Sequence, residues 1–531
     1  MKQYLVTASE MKRYDTNTIE KYRMPSLILM ERAALVTVEE IHRFFGKSPC
    51  RVLIAAGCGN NGGDGLAIGR LMMLEGYDVT FVLIGNKDKC TEETTRQIEI
   101  LQEYQAQVFS TMQNGEYDIV IDAVLGIGLS RPVEGICRDA IQWINHSGAR
   151  VCSVDIPSGI RADTGEVMGE AVRADLTVTY GFRKLGHMLY PGTIYTGMLV
   201  CGRMGIDERS FLGTEPYWYT HIGRDSSLLP PRRPDGNKGT FGKALLIAGN
   251  DRIAGAAMMA AKSAFRIGAG MVKVVTAVEN KESLLQFVPE AMLVTYTRNV
   301  SHENDTYDME QKQTIICELE EAFKWADSIL IGPGIGTGKW AHEMLRLCIE
   351  ECSLPLVIDA DGLNLLAQDK ELQKSMADRK DQDRIIILTP HLGEFARLYG
   401  CSIEQVKNGM TDYPRRLSDS LHCIVACKDA RSVVVWYGGQ QGYLNTTGNA
   451  GMATAGSGDV LAGVLVGLLA QKMPGADAAV AGVYLHGIAG DLAAGKESEA
   501  SMTATDIIDR ISDVILLQQR ENYMEQNGEM P

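Results

Sequence analysis

Short apolar runs that end in glycine-rich, polar loops and lead into helix-compatible segments recur along this chain, and that alternation leaves few architectures open. Arg51 to Ala56 (RVLIAA) runs into GCGNNGGDG and then into Leu66 to Leu74, which has helical periodicity. Val79 to Ile84, Asp118 to Val124, Val151 to Ile156 and Leu176 to Tyr180 are further strand-like runs. The pattern returns at Ala244 to Ala248, Met271 to Thr276, Ser328 to Ile331, Pro355 to Ile358, Arg384 to Leu388 and Cys423 to Ala426, with an alanine-rich helix at Ala254 to Ile267. Such alternation predicts α/β architecture, parallel sheets covered by helices on both faces. Ser9 to Phe45 has a helical pattern of its own, divided at Pro25 and Ser26.

A chain of 531 residues is too long for one ordinary core, and length alone suggests roughly two to four domains. Pro230, Pro231 and Pro234 fall close together, where they favour extended backbone. The expected organisation is a domain over 1–220, a Pro-rich linker over 221–238, a second domain over 239–519 and a polar tail over 520–531. With 52 Lys+Arg against 67 Asp+Glu, the formal charge is -15, which argues against a nucleic-acid or anionic-membrane partner. No apolar stretch of signal-peptide length opens the chain, and Val460 to Ala470 is too short and glycine-interrupted to span a bilayer. A soluble, cytoplasmic protein is expected, assembled as a homo-oligomer. The twelve cysteines include Cys348/Cys352 and Cys423/Cys427, each four apart without a second pair at zinc-site spacing; buried free thiols are expected.

The stretch NAGMATAGSGDVLAG places Ala455 to Gly458 directly before Asp459 and an apolar helical run. Free backbone N–H groups at a helix N-terminus, with the helix dipole behind them, suit phosphate. A carboxylate at the lip is placed to take a proton from a hydroxyl that attacks that phosphate, which makes Asp459 a candidate base. Close helix packing would account for the same glycines. GPGIGTGK is not a P-loop, because Pro333 stands where the first glycine is needed and Trp340 replaces the magnesium-binding hydroxyl. His391 and Lys428 each follow a strand, where they could contact substrate and phosphate or serve structure and solvation.

In the first half, Gly57, Gly59 and Gly62 satisfy GxGxxG, yet no clear acid closes the second strand as a dinucleotide site requires. Asn60, Asn61 and Asp64 are side chains that a plain phosphate turn would not need. Asp122 in DAVLGIGLSRP and Asp155 with Ser158 in DIPSG end two more strands, so three loops should converge on one crevice. Each acid alone could be a turn or cap residue. Oxygen atoms from Asn61, Asp122 and Ser158 would suit a hard cation better than zinc.

GCGNNGGDG, DAVLGIGLSRP, DIPSG and GFRKLGHMLYPG, in that order, resemble the epimerase domain of the NAD(P)H-hydrate repair proteins over roughly residues 1–220. GTFGKALLIAG, RIGAGMVKV, GPGIG, DADGLN, TPHLGEF and NAGMATAGSGDVLAG resemble their dehydratase domain, of the ribokinase-like fold, over roughly 229–519. The resemblance implies a Rossmann-like doubly wound sheet followed by a ribokinase-like α/β/α domain. It implies that Asn60, Asn61, Gly62, Gly63, Asp64, Gly126, Ile127, Gly128, Leu129, Ser130, Arg131 and Pro132 hold hydrated NAD(P)H, with Asp155 at the reacting ring. Asn61, Asp122 and Ser158 would help bind potassium. In the second domain, Ala269, Gly336, His391 and Asp459 would face the hydrate, and Lys428, Asp429, Ala430, Arg431, Ser432 and Gly458 the adenine nucleotide. The family's His-Pro-Gly is His391-Leu392-Gly393 here, and its Lys-Gly is Lys428-Asp429. The implied substrates are NADHX and NADPHX, with ADP or ATP, and Mg2+ beside it, consumed in dehydration. A ribokinase-class kinase and a non-enzymatic NAD-binding regulator are the rival readings.

Overall fold

The computed structural model describes residues 2–222, 228–230, 232–297, 309–379 and 383–527. It divides into two compact units, Tyr4–Tyr219 and a second made of Thr220–Pro531 with the first three residues. Part of the expected linker, 223–227 and 231, lies outside the described residues, as does 528–531 of the expected tail. The rest of that tail continues a helix, Ala504–Asn527.

The first unit opens with α1 (Ala8–Lys21) and α2 (Ser26–Phe45). Thr7 caps α1 in a reciprocal pair with Glu10, and Pro25 breaks the chain before α2. Then come β1 (Arg51–Gly57), α3 (Asn60–Leu74), β2 (Asp78–Ile84), α4 (Glu92–Glu103) and β3 (Val108–Phe109). β4 (Ile119–Ala123), α5 (Gly135–His146), β5 (Arg150–Val154), β6 (Leu176–Tyr180) and β7 (Met198–Gly202) follow. The strands lie in the order β3-β2-β1-β4-β5-β6-β7, all parallel. Strand order reverses between β1 and β4, the place where open sheets of this kind form a crevice at their carboxyl ends. Leu5 and Val6 pair separately with Arg183 and Lys184.

The glycines of the first turn serve backbone packing. A β carbon on Gly57 would fall 2.0 Å from the Val124 carbonyl oxygen, and one on Gly62 would fall 1.8 Å from the Gly57 oxygen. The turn is therefore folded so tightly on β4 that no side chain fits.

The second unit contains β8 (Lys243–Ile247), α6 (Gly255–Arg266), β9 (Met271–Ala277), β10 (Met292–Tyr296), β11 (Ser328–Ile331) and α7 (Lys339–Glu350). It continues through β12 (Leu356–Ile358), α8 (Asp361–Gln368), β13 (Ile386–Leu388), α9 (Leu392–Tyr399), β14 (Ile424–Cys427), β15 (Val433–Trp436) and β16 (Gly442–Leu444). α10 (Ser457–Ala470), α11 (Gly475–Glu497) and α12 (Ala504–Asn527) complete it. Its strands run β10-β9-β8-β11-β12-β13-β14-β15-β16, parallel except for the last two, which turn back as hairpins.

α10 is apolar on every side because it is enclosed on every side, and Val460 to Ala470 are all buried. Each large aliphatic there contributes about 1.5–3 kcal/mol on burial. The Ser328 hydroxyl donates to the Val466 carbonyl oxygen at 2.8 Å and fastens the helix to β11. α11 passes a length and hydropathy test for a membrane span, but 72% of its apolar window is buried inside the unit. That marks it as a core helix. All twelve cysteines are free; five are buried, fewer than the sequence suggested.

The tight turn generates a contrast. Gly62→Ala should lower unfolding stability by about 1–3 kcal/mol or more, the cost of overpacking. Gly59→Ala, where nothing lies within 4 Å of the new carbon, should cost under about 1 kcal/mol as a weakened helix cap. Denaturant unfolding of the two variants checks this.

Candidate active sites

The three loops expected to converge in the first unit do so. α3 begins at Asn60, so Asn60, Asn61, Gly62, Gly63 and Asp64 form a helical first turn where the sequence suggested loop. Asn61 packs on Gly126, where a β carbon would stand 3.1 Å from its own. From there Ile127, Gly128, Leu129, Ser130, Arg131 and Pro132 continue as a half-buried to exposed rim.

Behind this rim, Asp122 is fully buried at the end of β4. It accepts hydrogen bonds from the Ser158 N–H (2.9 Å), the Ser158 hydroxyl (2.5 Å), the Ser153 hydroxyl (2.8 Å) and the Val124 N–H (3.4 Å). Burial outweighs these donors and leaves the Asp122 carboxyl above its ordinary value. The Asn61 amide nitrogen is buried with no hydrogen-bond partner among the described residues; a turned amide would present oxygen at the same place. An undercompensated carboxylate, a hydroxyl and an amide make an oxygen set that fits a hard cation.

Asp155 is held on every side. It adopts φ +65°, a region sparsely populated by residues with side chains but tolerated by aspartate. Its N–H donates to Val178 (2.8 Å), and its carbonyl oxygen accepts from His187 Nε2 (2.9 Å). Oδ1 accepts from Lys184 Nζ, the Thr179 hydroxyl (2.9 Å) and the Tyr180 N–H (3.4 Å). Burial alone would raise this carboxyl; the Lys184 ammonium reverses that and holds it below the ordinary value. Oδ2 takes no donor among the described residues, so an ionised carboxylate keeps one oxygen for a proton.

Two more acids surround the pair. Asp64 is pushed well above its ordinary value by burial and by Asp155 and Asp15, and Asp15, on α1, is raised by burial and by Glu93 and Asp155. His187 is lowered to about 3 by burial and Lys184, and stays neutral. Asp15 carries no motif and was not legible; Lys184 and His187 were visible inside GFRKLGHMLYPG without assigned roles.

In the second unit, the helix start expected before Asp459 is present. Gly456 caps α10 at φ +91°, and Asp459 sits in its first turn. The Asp459 carboxylate accepts no hydrogen bond among the described residues. Burial, Asp359 and Asp361 raise it, against Lys428, to about 7. Asp359, at the end of β12, is 1% exposed and accepts from Lys428 Nζ at 2.7 Å. A β carbon on Gly458 would lie 3.3 Å from that Nζ and 3.8 Å from Asp359 Oδ2. One ammonium and two carboxylates thus surround the helix start. The His486 ring, lowered to about 4 by burial and Lys428, meets the Ser457 hydroxyl at 3.4 Å.

Gly336 reaches the same place, donating its N–H to Asp361 Oδ2 at 2.8 Å. His391 caps α9: its Nδ1 accepts from the Gly393 N–H (2.9 Å) and Glu394 N–H (3.3 Å), which leaves Nε2 protonated. Its link to the site is a parallel bridge to Lys428. Asp429, Ala430, Arg431 and Ser432 form the turn from β14 to β15, with Arg431 bonded to the Thr446 carbonyl oxygen (3.2 Å) and Ser432 to that of Asp429 (3.2 Å).

Ala269 does not join them. It precedes β9, at the amino end of the sheet, where Gln471 at the far end of α10 bonds the Ile267 carbonyl oxygen (3.2 Å). The length of α10, about 1.5 Å per residue, separates it from Asp459. The loop at that strand's other end, and the start of α6 at Gly255, are what lie on the site's side. Asp359 and Asp361, quoted within DADGLN but given no role, are the acids the sequence reading missed.

Comparison with known proteins matches each unit separately. A family described as NAD(P)H-hydrate dehydratase matches residues 244–513, and one described as YjeF-related protein N-terminus matches 26–186. A bifunctional NAD(P)H-hydrate repair enzyme from Thermofilum pendens is 35% identical, covering 94% of this chain and 94% of its own. One of the same description from Moorella thermoacetica is 33% identical, covering 95% of each. A solved ribokinase-like superfamily protein from Enterococcus faecalis is similar at 28% identity and TM-score 0.48, covering 56% of this chain and 96% of its own.

Two pH effects follow from the charges. If Asp459 acts as a base, the second site's rate should rise through about pH 7. In Asp359→Asn a repelling charge is lost, the Asp459 value falls, and the acid limb of the rate profile should move to lower pH. In the first site, Lys184→Met removes the charge that holds Asp155 down, so that acid limb should move to higher pH; the orphaned buried carboxylate should also cost about 3–5 kcal/mol of stability. Rate profiles and unfolding of each variant check both.

Proposed function

The chain belongs to the bifunctional NAD(P)H-hydrate repair enzymes, and from that premise we propose which residues carry each half of the repair. The enzyme epimerises R- and S-NAD(P)HX and dehydrates the S form to NAD(P)H at the expense of a nucleotide.

In the second unit Asp459 is the base. Its carboxylate, free of donors and raised toward neutrality, takes the proton of the C6 hydroxyl, and that oxygen attacks the terminal phosphoryl group of ADP or ATP. The N–H groups of Gly458 and Asp459 at the start of α10 stabilise the developing charge, and Lys428, 3.3 Å from the Gly458 β position, adds a positive charge. The ring nitrogen lone pair then expels phosphate from C6, and loss of a C5 proton restores the dihydropyridine. The leaving group is phosphate in place of hydroxide, which is why a nucleotide is spent. Gly336 and His391 line the hydrate, while Lys428 to Ser432 and Gly458 take the nucleotide. Mg2+ would arrive with the nucleotide phosphates, which commonly supply most of its ligands.

In the first unit, hydrate sits between Asn60 to Asp64 and Gly126 to Pro132, with Asp155 at the ring. Asp155 accepts a proton on Oδ2 during interconversion, and the raised carboxyl of Asp64, which feels the Asp155 charge, is a proton donor. Asn61, Asp122 and Ser158 would hold K+, which would supply charge balance to Asp122. Copies of the chain also associate; Leu27, Ile28 and Leu35, exposed on one face of α2, support this, and sedimentation tests it.

The unbonded Asp459 carboxylate at the α10 start carries the reading. Given an R/S mixture of NADHX and ADP or ATP, the enzyme should restore the full near-ultraviolet absorbance of NADH. Asp459→Asn should lose roughly two orders of magnitude or more in rate, and Asp155→Ala should stop at the S fraction. Near-normal turnover in the first variant, or normal equilibration of epimers in the second, removes that role.

A further inference from the structure

A thiol pair beside the first site takes no part in this chemistry. Cys58 lies in the turn between β1 and α3, two residues before Asn60, and Cys90 lies between β2 and α4. The two segments are stitched together. The Thr91 N–H donates to the Cys58 carbonyl oxygen (2.9 Å), and the Thr94 hydroxyl to that of Gly59 (2.9 Å). The Cys58 thiol lies 3.3 Å from the Asn86 carbonyl oxygen, over Gly85, whose β carbon would fall 2.5 Å from the sulfur. The first of these bonds sets Cys90, the residue before Thr91, beside Cys58; burial and the neighbouring Cys58 raise the Cys90 thiol, and both residues are half-buried, within reach of a small oxidant.

We propose that Cys58 and Cys90 form a reversible disulfide, an oxidative modification site that clamps the turn leading into Asn60 to Asp64 and withdraws the first site from use. Its effect on activity rests on the epimerase reading above; the bond itself does not. The oxidant is a low-molecular-weight disulfide, RSSR, of the glutathione class. Cys58 gives up its proton and attacks one sulfur of RSSR, releasing RS−, which takes that proton. Cys90, whose thiol burial and Cys58 push up to about 11, gives up its proton and attacks the Cys58 sulfur, releasing a second RSH. Two protein thiols are oxidised and one RSSR is reduced to two RSH.

The bond would tie the turn before α3 to the loop before α4. Cys58 stands two residues before Asn60, so the tie bears directly on the helix start that carries Asn60 and Asn61.

The test uses the full chain incubated with oxidised glutathione, digested without reduction and mapped by mass spectrometry. A peptide containing Cys58 joined to one containing Cys90, lost on adding dithiothreitol, is expected. R-hydrate conversion should fall at least about tenfold in kcat/KM and return with dithiothreitol, while S-hydrate dehydration is unchanged. Cys90→Ser should yield no linked peptide and keep R-hydrate conversion under oxidant. Joining of Cys58 to Cys137, glutathione adducts alone, no linkage, or linkage with unchanged R-hydrate conversion would each overturn the proposal. Absence of R-hydrate conversion in the reduced chain would overturn the epimerase assignment, while the peptide map decides the bond on its own.

Discussion

Each half of the molecule buries a lysine against an aspartate at the carboxyl end of a parallel sheet, Lys184 on Asp155 and Lys428 on Asp359. Taking a charge out of water costs several kcal/mol, and a pair is tolerated only where geometry and further hydrogen bonds compensate. The first pair meets that condition in full. Thr179 and the Tyr180 backbone complete the first, and the second is closed under the start of α10. The sheets supply the rigidity, and the strand ends supply the positions.

The two pairs produce opposite electrostatic results. In the first site the lysine is bonded to Asp155 itself, which stays ionised despite burial. In the second, the lysine is bonded to a neighbour, and Asp459 feels the Asp359 charge more than the ammonium. The first arrangement suits a carboxylate that must remain charged while a ring substituent changes face. The second suits a base that must take a hydroxyl proton and keep it while phosphate is transferred, with its proton affinity near neutrality.

The strands and helices were legible because hydrophobic runs and glycine breaks are local. Arg51 to Ala56, Val79 to Ile84 and Ser328 to Ile331 declare themselves within a few residues, and so does the helix after Gly456. Asp155, Asp459 and the Asn60 to Asp64 turn were legible because each stands at a strand or helix end inside a motif. Asp15 was not, since α1 carries it to the site from a distant part of the chain and nothing in its neighbours marks it. Asp359 stood in plain view within DADGLN, but its role depends on Lys428, 69 residues away. Ala269 misled because RIGAGMVKV names a motif without saying which end of β9 faces the site. Gly62 was expected to face the hydrate; its place, like that of Gly57, is also fixed by the close approach of backbone to backbone.

The central claim is that one chain carries two self-contained sites acting in sequence on the same hydrate. The direct measurement is complementation: Asp155→Ala chains mixed with Asp459→Asn chains, supplied with R/S NADHX and nucleotide, followed by near-ultraviolet absorbance. Two independent sites predict full recovery of NADH, because S-hydrate made by one variant diffuses to the other. Recovery that halts at the S fraction originally supplied would contradict the account.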